Sequence, residues 1–191
     1  TRIHLLDSFL KYKIVNYLFV CFCVLIIING SNFIDGLNTL NIGYYLTICF
    51  VLLYLNYDDK IEINNLQIKY ILLVVLFSYF LNFKNNFFLG DSGSYLLGAF
   101  FSFYLINLYL NNNHISPFFI VILLWYPSFE TLFSMIRKKI LSRSSMKADI
   151  NHLHQLIFFK IKKSSSFNIY WSNVISANII NLYNILIFLI A

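Results

Sequence analysis

Three polar stretches interrupt an otherwise oily chain, and each carries side chains able to do chemistry. The first reads Asn29-Gly-Ser-Asn32-Phe-Ile-Asp35-Gly36-Leu-Asn38. Asn29, Asn32 and Asp35 recur every third residue, so on a continuing helix they form one polar ladder, which Gly36 then ends. A carboxylate and two amides there supply hard oxygen ligands and donors, suited to Mg²⁺ or to a phosphate-bearing ligand. An interfacial turn built from turn formers is the alternative. The second stretch reads Phe88-Leu-Gly90-Asp91-Ser92-Gly93-Ser94. Its glycines permit close backbone approach, and a helix starting there offers free N–H groups to anions. Asp91 is placed to hold a divalent metal against those anions, unless it is a plain N-cap.

The third stretch carries Arg143-Ser-Ser-Met-Lys-Ala-Asp149-Ile-Asn-His152-Leu-His154-Gln155. Histidines at i and i+2 do not share a helix face, which disfavours a helical zinc pair. Imidazoles presented together with Arg and Lys suit phosphate better. The competing reading is a basic stretch resting on anionic lipid headgroups. Glu130 adds one ionisable group within an apolar block, just after Pro127. Such a group is costly in lipid and faces protein or a cavity, and Pro127 is a candidate kink.

The elements that must position these residues follow from composition. Of 191 residues, 59% are hydrophobic and 12% charged, and mean hydropathy is +0.71, beyond the roughly half-apolar make-up of soluble domains. The apolar residues come in blocks close to the length a bilayer requires, without the alternation of barrel strands, so the blocks are helices. About six spans are predicted, near Ile14–Ile28, Ile42–Tyr57, Ile68–Phe83, Tyr95–Leu110, Pro117–Ile136 and Ile169–Ile190. This is an all-α integral membrane protein, one membrane domain over 1–191, with room for no second domain.

Charge orients it. Of the 14 Lys and Arg residues, Arg137, Lys138, Lys139, Arg143, Lys147, Lys160, Lys162 and Lys163 fall in one loop, which the positive-inside rule places in the cytoplasm. The net charge of +6 thus speaks for topology and not for nucleic acid. Counting spans backwards puts loops 29–41, 83–94 and 137–167 on that same face, where the three motifs can form one site. The loops near Asp58–Glu62 and Asn111–Ser116 then face outside; Lys11 and Lys13 run against the rule. Cys21, Cys23 and Cys49 read as small buried hydrophobes, and Asn85–Asn86 and Asn111–Asn113 as compositional bias. Trp125 and Trp171 read as packing or interface residues.

Taken together and in this order, the three loops resemble those of the polyprenyl-phosphate N-acetylhexosamine-1-phosphate transferases, the membrane family that includes phospho-N-acetylmuramoyl-pentapeptide transferase. Asn29–Leu40 looks like that family's Asn-x-x-Asn-x-x-Asp-Gly-x-Asp-Gly-Leu segment. Leu89–Gly98 looks like its Gly-Asp-x-Gly-Ser segment, and Arg143–Gln155 like its loop ending in Asp-x-x-His-x-His-His. Pro127 with Glu130-Thr131 resembles a Pro-x-x-Asp-Thr stretch. The likeness spans nearly the whole chain. It implies transfer of N-acetylhexosamine 1-phosphate from a UDP-sugar to polyprenyl (undecaprenyl) phosphate with release of UMP, using Mg²⁺, in bacterial cell-wall or surface-glycan synthesis at the cytoplasmic membrane. It implies Asp91 and Asn32 as metal contacts, and Asp35 beside the nucleotide–metal site. His152, His154 and Arg143 would grip phosphate or nucleotide. Asn29, Asn38, Gly90, Ser94 and Asp149 would complete the substrate site. It also allows a homodimer.

Departures are expected to matter. Asn38 stands in place of a second Asp, Gln155 replaces a final His, and Ser145-Met146 replace Pro-Phe. The family's upstream aspartate pair has no counterpart, and Asp58-Asp59 follows the first motif on the other face. With Thr1 opening the chain, the expectation is the C-terminal portion of a larger polytopic bundle, inactive alone. A catalytically degenerate paralogue and a polytopic transporter or channel subunit using Asp35, Asp91 and Glu130 are the competing readings.

Overall fold

An apolar block in lipid must satisfy its backbone within itself, and the computed structural model shows it doing so. It describes residues 8–58, 61, 65–112, 115–140 and 152–190. The helices are α1 (Lys13–Ile34), α2 (Leu40–Tyr57), α3 (Asn65–Phe83), α4 (Gly90–Asn111), α5 (Pro117–Leu123), α6 (Trp125–Ile140), α7 (Leu153–Ser164) and α8 (Ile169–Ile190). No strand occurs among the described residues. Five helices (α1, α2, α3, α4 and α8) are each long and apolar enough to cross a bilayer, and α5 with α6 makes a sixth span bent by 71°. The chain is an integral membrane protein.

The two largest boundary shifts relative to the sequence expectation both fall at the motifs. Helix α1 runs on to Ile34, well past the predicted Ile28, and α4 begins at Gly90 rather than Tyr95. The basic stretch after α6 is not one plain loop, since α7 occupies Leu153–Ser164. Arg143, Lys147 and Asp149 lie outside the described residues.

Helix α2 is the axis of the bundle. Of its most apolar stretch 67% is buried, against 22% for α1 and 17% for α3, as a helix apolar all round requires. It packs on α3 and α8, while α1 packs on α4 and α6. The outer faces of α1 (Tyr17, Leu18, Phe22) and α3 (Leu73, Val74, Phe77) remain exposed, as lipid-facing surfaces do. Of the cysteines only Cys49 is buried; Cys21 lies on the exposed face of α1, so the uniform burial expected of the three is corrected. Small residues let α1 approach both neighbours: a side chain at Gly30 would collide with the Pro127 carbonyl, and one at Gly98 would meet Ser31 Oγ at 2.6 Å.

The broken span has a local cause. Pro127 has no N–H to offer the carbonyl four residues back, and its ring crowds that carbonyl. The residue four back is Leu123, where α5 ends. The freed Leu123 carbonyl accepts instead from the buried Tyr44 hydroxyl of α2 at 2.6 Å, and Ser128 Oγ donates to the Leu124 carbonyl at 2.7 Å. Tyr44 also meets Tyr126 (6.0 Å between ring centroids) and Phe188 (5.8 Å), while Tyr45 stacks on Phe101 (4.5 Å) and bonds Ser31 through its hydroxyl.

Helix α8 coincides with the predicted sixth span, but its asparagines are structural rather than compositional noise. Asn181 Nδ2 donates to the Thr39 carbonyl (3.1 Å), Asn178 Oδ1 accepts from Tyr79 (2.8 Å), and Asn184 Oδ1 accepts from Trp125 Nε1 (2.9 Å). Trp125 is thus a polar tie as well as a packing residue. Along α8 the bonded polar side chains reach as far as Asn184.

Replacing Tyr44 with Phe keeps the ring and orphans the Leu123 carbonyl in a dry interior. The expected cost is about 1–2 kcal/mol, read as a lower melting temperature in detergent with helical content unchanged.

Candidate active site

The end of α1 and the turn after it carry the first motif. The helix holds Asn29 and Asn32 on its last turns, and Asp35 is its C-cap. Asn29 is exposed, its Nδ2 donating to Leu25 O at 2.7 Å. Asn32 Nδ2 donates to the Tyr95 hydroxyl of α4 at 3.1 Å. Buried Ile34 and Leu37 anchor the turn from below. The turn then closes on Thr39, a β-branched residue at φ 69, a conformation that costs energy unless its surroundings impose it. They do: Thr39 N–H donates to Asn82 Oδ1 at 2.6 Å, and its carbonyl accepts from Asn181. Asn38 N–H donates to Asn173 Oδ1 at 2.9 Å, and its side chain bonds Asn85. Asn85, read from sequence as compositional, is therefore a partner of the first motif.

Asn82 also joins the first motif to the second, since its Nδ2 donates to Phe87 O at 2.7 Å. Helix α4 opens at Gly90 with φ +60, a left-handed value that glycine adopts without strain. Asp91 sits exposed in the first turn, and the N-cap position belongs to Leu89, which makes no side-chain cap bond. The plain-cap reading of Asp91 is thereby corrected; its carboxylate is not committed to closing the helix. Buried Ser94, one turn on, donates to Gly90 O at 2.8 Å and lies beside Asp35.

The third motif reaches the first from below. His152 is the N-cap of α7, and both His152 and His154 are buried, at 5% and 0% exposure. Glu130 Oε2 accepts from His152 Nδ1 at 2.7 Å, and Leu153 N–H donates to Glu130 Oε1 at 3.0 Å. Gln155 Oε1 accepts from the His152 N–H at 3.3 Å, so the residue in place of a final histidine serves as half of a capping pair. Arg143 and Asp149, expected to bind substrate, lie outside the described residues.

Electrostatics sets Asp35 apart. Burial raises its pKa from 3.8 to about 6, and the nearby Asp91 carboxylate pushes the same way, while Ser94 and Asn41 beside it favour the ionised form. Burial in turn holds His154 down at about 4, so that ring is neutral. Among the described residues no cluster of three or more His, Cys, Asp or Glu side chains forms a metal cage. Two like-charged carboxylates near each other, one exposed, still fit Mg²⁺, which keeps several waters and takes one or two carboxylates plus substrate phosphates. Asp91 would hold it. Asn32 bonds Tyr95, one turn beyond Asp91 on the same face of α4.

Fold and site together define a membrane-embedded enzyme-like bundle with a carboxylate-bearing polar end. The profile of glycosyl transferase family 4 matches residues 2–109, more than half of the 191-residue chain. The chain belongs to that family. No curated protein and no solved structure matches it. The match takes in the first and second motifs and stops before the third, a narrower reach than the sequence likeness had implied. Tyr95, Asn82, Asn85 and Asn173 were missed as site-building residues, because a lone amide or phenol carries no signal until its partner across the bundle is known.

The Asp35 shift fixes a pH dependence. With a folded value of about 6 against 3.8, ionisation favours the unfolded chain. The penalty is absent below about pH 4, grows as pH rises through 6, and is complete above it. Asp35→Asn removes it. The variant is expected to melt higher than wild type near pH 7.5, by a stabilisation on the order of 1–3 kcal/mol, and equally at pH 4.

Proposed function

We propose that this protein transfers N-acetylhexosamine 1-phosphate from a UDP-sugar to a polyprenyl phosphate. A phosphate oxygen of the lipid attacks the sugar-proximal phosphorus, the bond from that phosphorus to the oxygen bridging the two phosphates breaks, and UMP leaves with that oxygen. The product is a polyprenyl diphosphate sugar. One observation carries the reading: the end of α1 that bears Asp35 and the first turns of α4 that bear Asp91 lie together at one end of the bundle, joined by the Asn32–Tyr95 bond at 3.1 Å and with Ser94 of α4 beside Asp35. A chain in glycosyl transferase family 4 with a site at the membrane boundary suits a lipid acceptor and a water-soluble sugar donor.

When bound, Mg²⁺ neutralises charge on the diphosphate. Asp91 and Asn32 hold it. Asp35 carries a proton affinity matched to a phosphate monoester, whose second pKa is about 6, and takes up the proton of the attacking lipid phosphate. Asn29, Asn38, Gly90 and Ser94 shape the donor site, and Arg143 and Asp149 bind the donor by charge. The concentration of basic residues from the last turn of α6 through α7 supports a cytoplasmic site, where UDP-sugars are made, in a bacterial inner membrane. The transport reading finds less support, because Asn181, Asn178 and Asn184 of α8 bond Thr39, Tyr79 and Trp125.

The test uses membranes expressing the whole gene, supplied with radiolabelled UDP-N-acetylglucosamine, undecaprenyl phosphate and Mg²⁺. Lipid-extractable label is expected, and Asp91→Ala, inserted to the same level, should lose ~10³-fold in rate, the several kcal/mol that a metal contact supplies. Silence of the wild type with this and other UDP-N-acetylhexosamines would leave a degenerate paralogue as the better reading.

A further inference from the structure

One buried acid has no part in the transfer chemistry as proposed. Glu130 is 1% exposed, and both of its oxygens are engaged by the start of α7: Oε2 with His152 Nδ1 at 2.7 Å and Oε1 with the Leu153 N–H at 3.0 Å. The His152 ring packs on Phe33 of α1 (5.3 Å, 35°) and stacks on His154 (5.5 Å, 9°). His154 then abuts the residue after Asp35. A Cβ placed on Gly36 would come within 2.6 Å of His154 Nε2, and the three heavy atoms nearest to it all belong to that ring. Neither ring nitrogen of His154 has a hydrogen-bond partner among the described residues. A continuous column therefore runs from α6 through His152 and His154 to the turn that presents Asp35.

We infer that Glu130 is a positioning residue of the site, and that through the stacked imidazoles of His152 and His154 it sets the height of the Asp35 turn against α4. The two histidines work in this column by orientation and ring packing, and they touch the turn rather than the substrate. A carboxylate suits the anchor position. Accepting at Oε2 it fixes the Nδ1–H tautomer of His152 and the ring plane with it, as a carboxylate behind a histidine does elsewhere. Its second oxygen fixes where α7 starts, so the spacing from α6 to His154 is set by one rigid group. The functional consequence rests on the transferase reading; the geometry does not.

The purified protein tests the two separately. Gly36 does not need a left-handed backbone, so Gly36→Ala perturbs the turn only through His154. It is expected to lower the melting temperature by a few degrees in the wild-type background and to be near neutral in a His154→Ala background. Additive losses in the double variant would overturn the column. In ¹⁵N-histidine-labelled protein, with the His152 signal assigned from a His152→Asn sample, Nδ1 should carry the proton, and Glu130→Gln should move it to Nε2. An unchanged tautomer would overturn the anchor. Where transfer is measured, Glu130→Gln should cut kcat ~10-fold or more with KM for the UDP-sugar within about 2-fold, the pattern of a positioning loss, and Glu130→Asp should recover part of it. Full kcat in Glu130→Gln overturns the positioning role, whereas a wild type without transfer counts against the transferase reading alone and leaves the melting and tautomer results to judge the column.

Discussion

In lipid a polar atom has no solvent to fall back on, and the arrangement of this protein follows from that constraint. The turn at 35–39 leaves helical geometry at the end of α1, and its freed backbone groups then need partners. Asn82, Asn173 and Asn181, from α3 and α8, supply them. The same logic governs the broken span. Pro127 strips a hydrogen bond from Leu123, and Tyr44 of the central helix returns it. Both irregularities are held by side chains from α2, α3 or α8.

The interior that makes those bonds strong also makes isolated charge expensive. Asp35 is held at the boundary between the two regimes. It is buried enough for its carboxyl to keep a proton up to about pH 6, and with exposed Asp91 it forms a doubly acidic end when both ionise. Glu130 stands on the other side of the boundary, fully enclosed, and is tolerated because both its oxygens accept N–H bonds. Two carboxylates are thus held in different surroundings, one at the polar end of the bundle and the other bonded into its interior.

Family membership and the site geometry bear on different parts of the chain. The glycosyl transferase family 4 profile spans 2–109, which contains Asp35, Asp91 and the turn between α1 and α2. The later part brings Glu130, the two histidines and the asparagines of α8, which brace that turn from beneath. Asn38 and Gln155, the substitutions that weaken the likeness to the transferases, each have a bonding partner here: Asn85 and Asn173 for the first, the His152 N–H for the second. The altered residues are accommodated as structural links.

By itself the sequence determined the number and approximate place of the spans, because apolar length and the absence of alternation are local properties of the chain. It also singled out Asp35, Asp91, His152 and His154, since carboxylates and imidazoles in an oily chain stand out by type. It misjudged the asparagines, whose value depends on what faces them from another helix, and a biased composition hid Asn85 among its neighbours. It placed a kink near Pro127 but could not say that the break would fall at Leu124, or that Tyr44 would repair it. Only the tertiary structure decided that His152 and His154 are buried against Glu130 and Gly36. Which residue lies behind which is a matter of how α1, α6 and α7 pack, and no spacing along one chain segment encodes a distance between three.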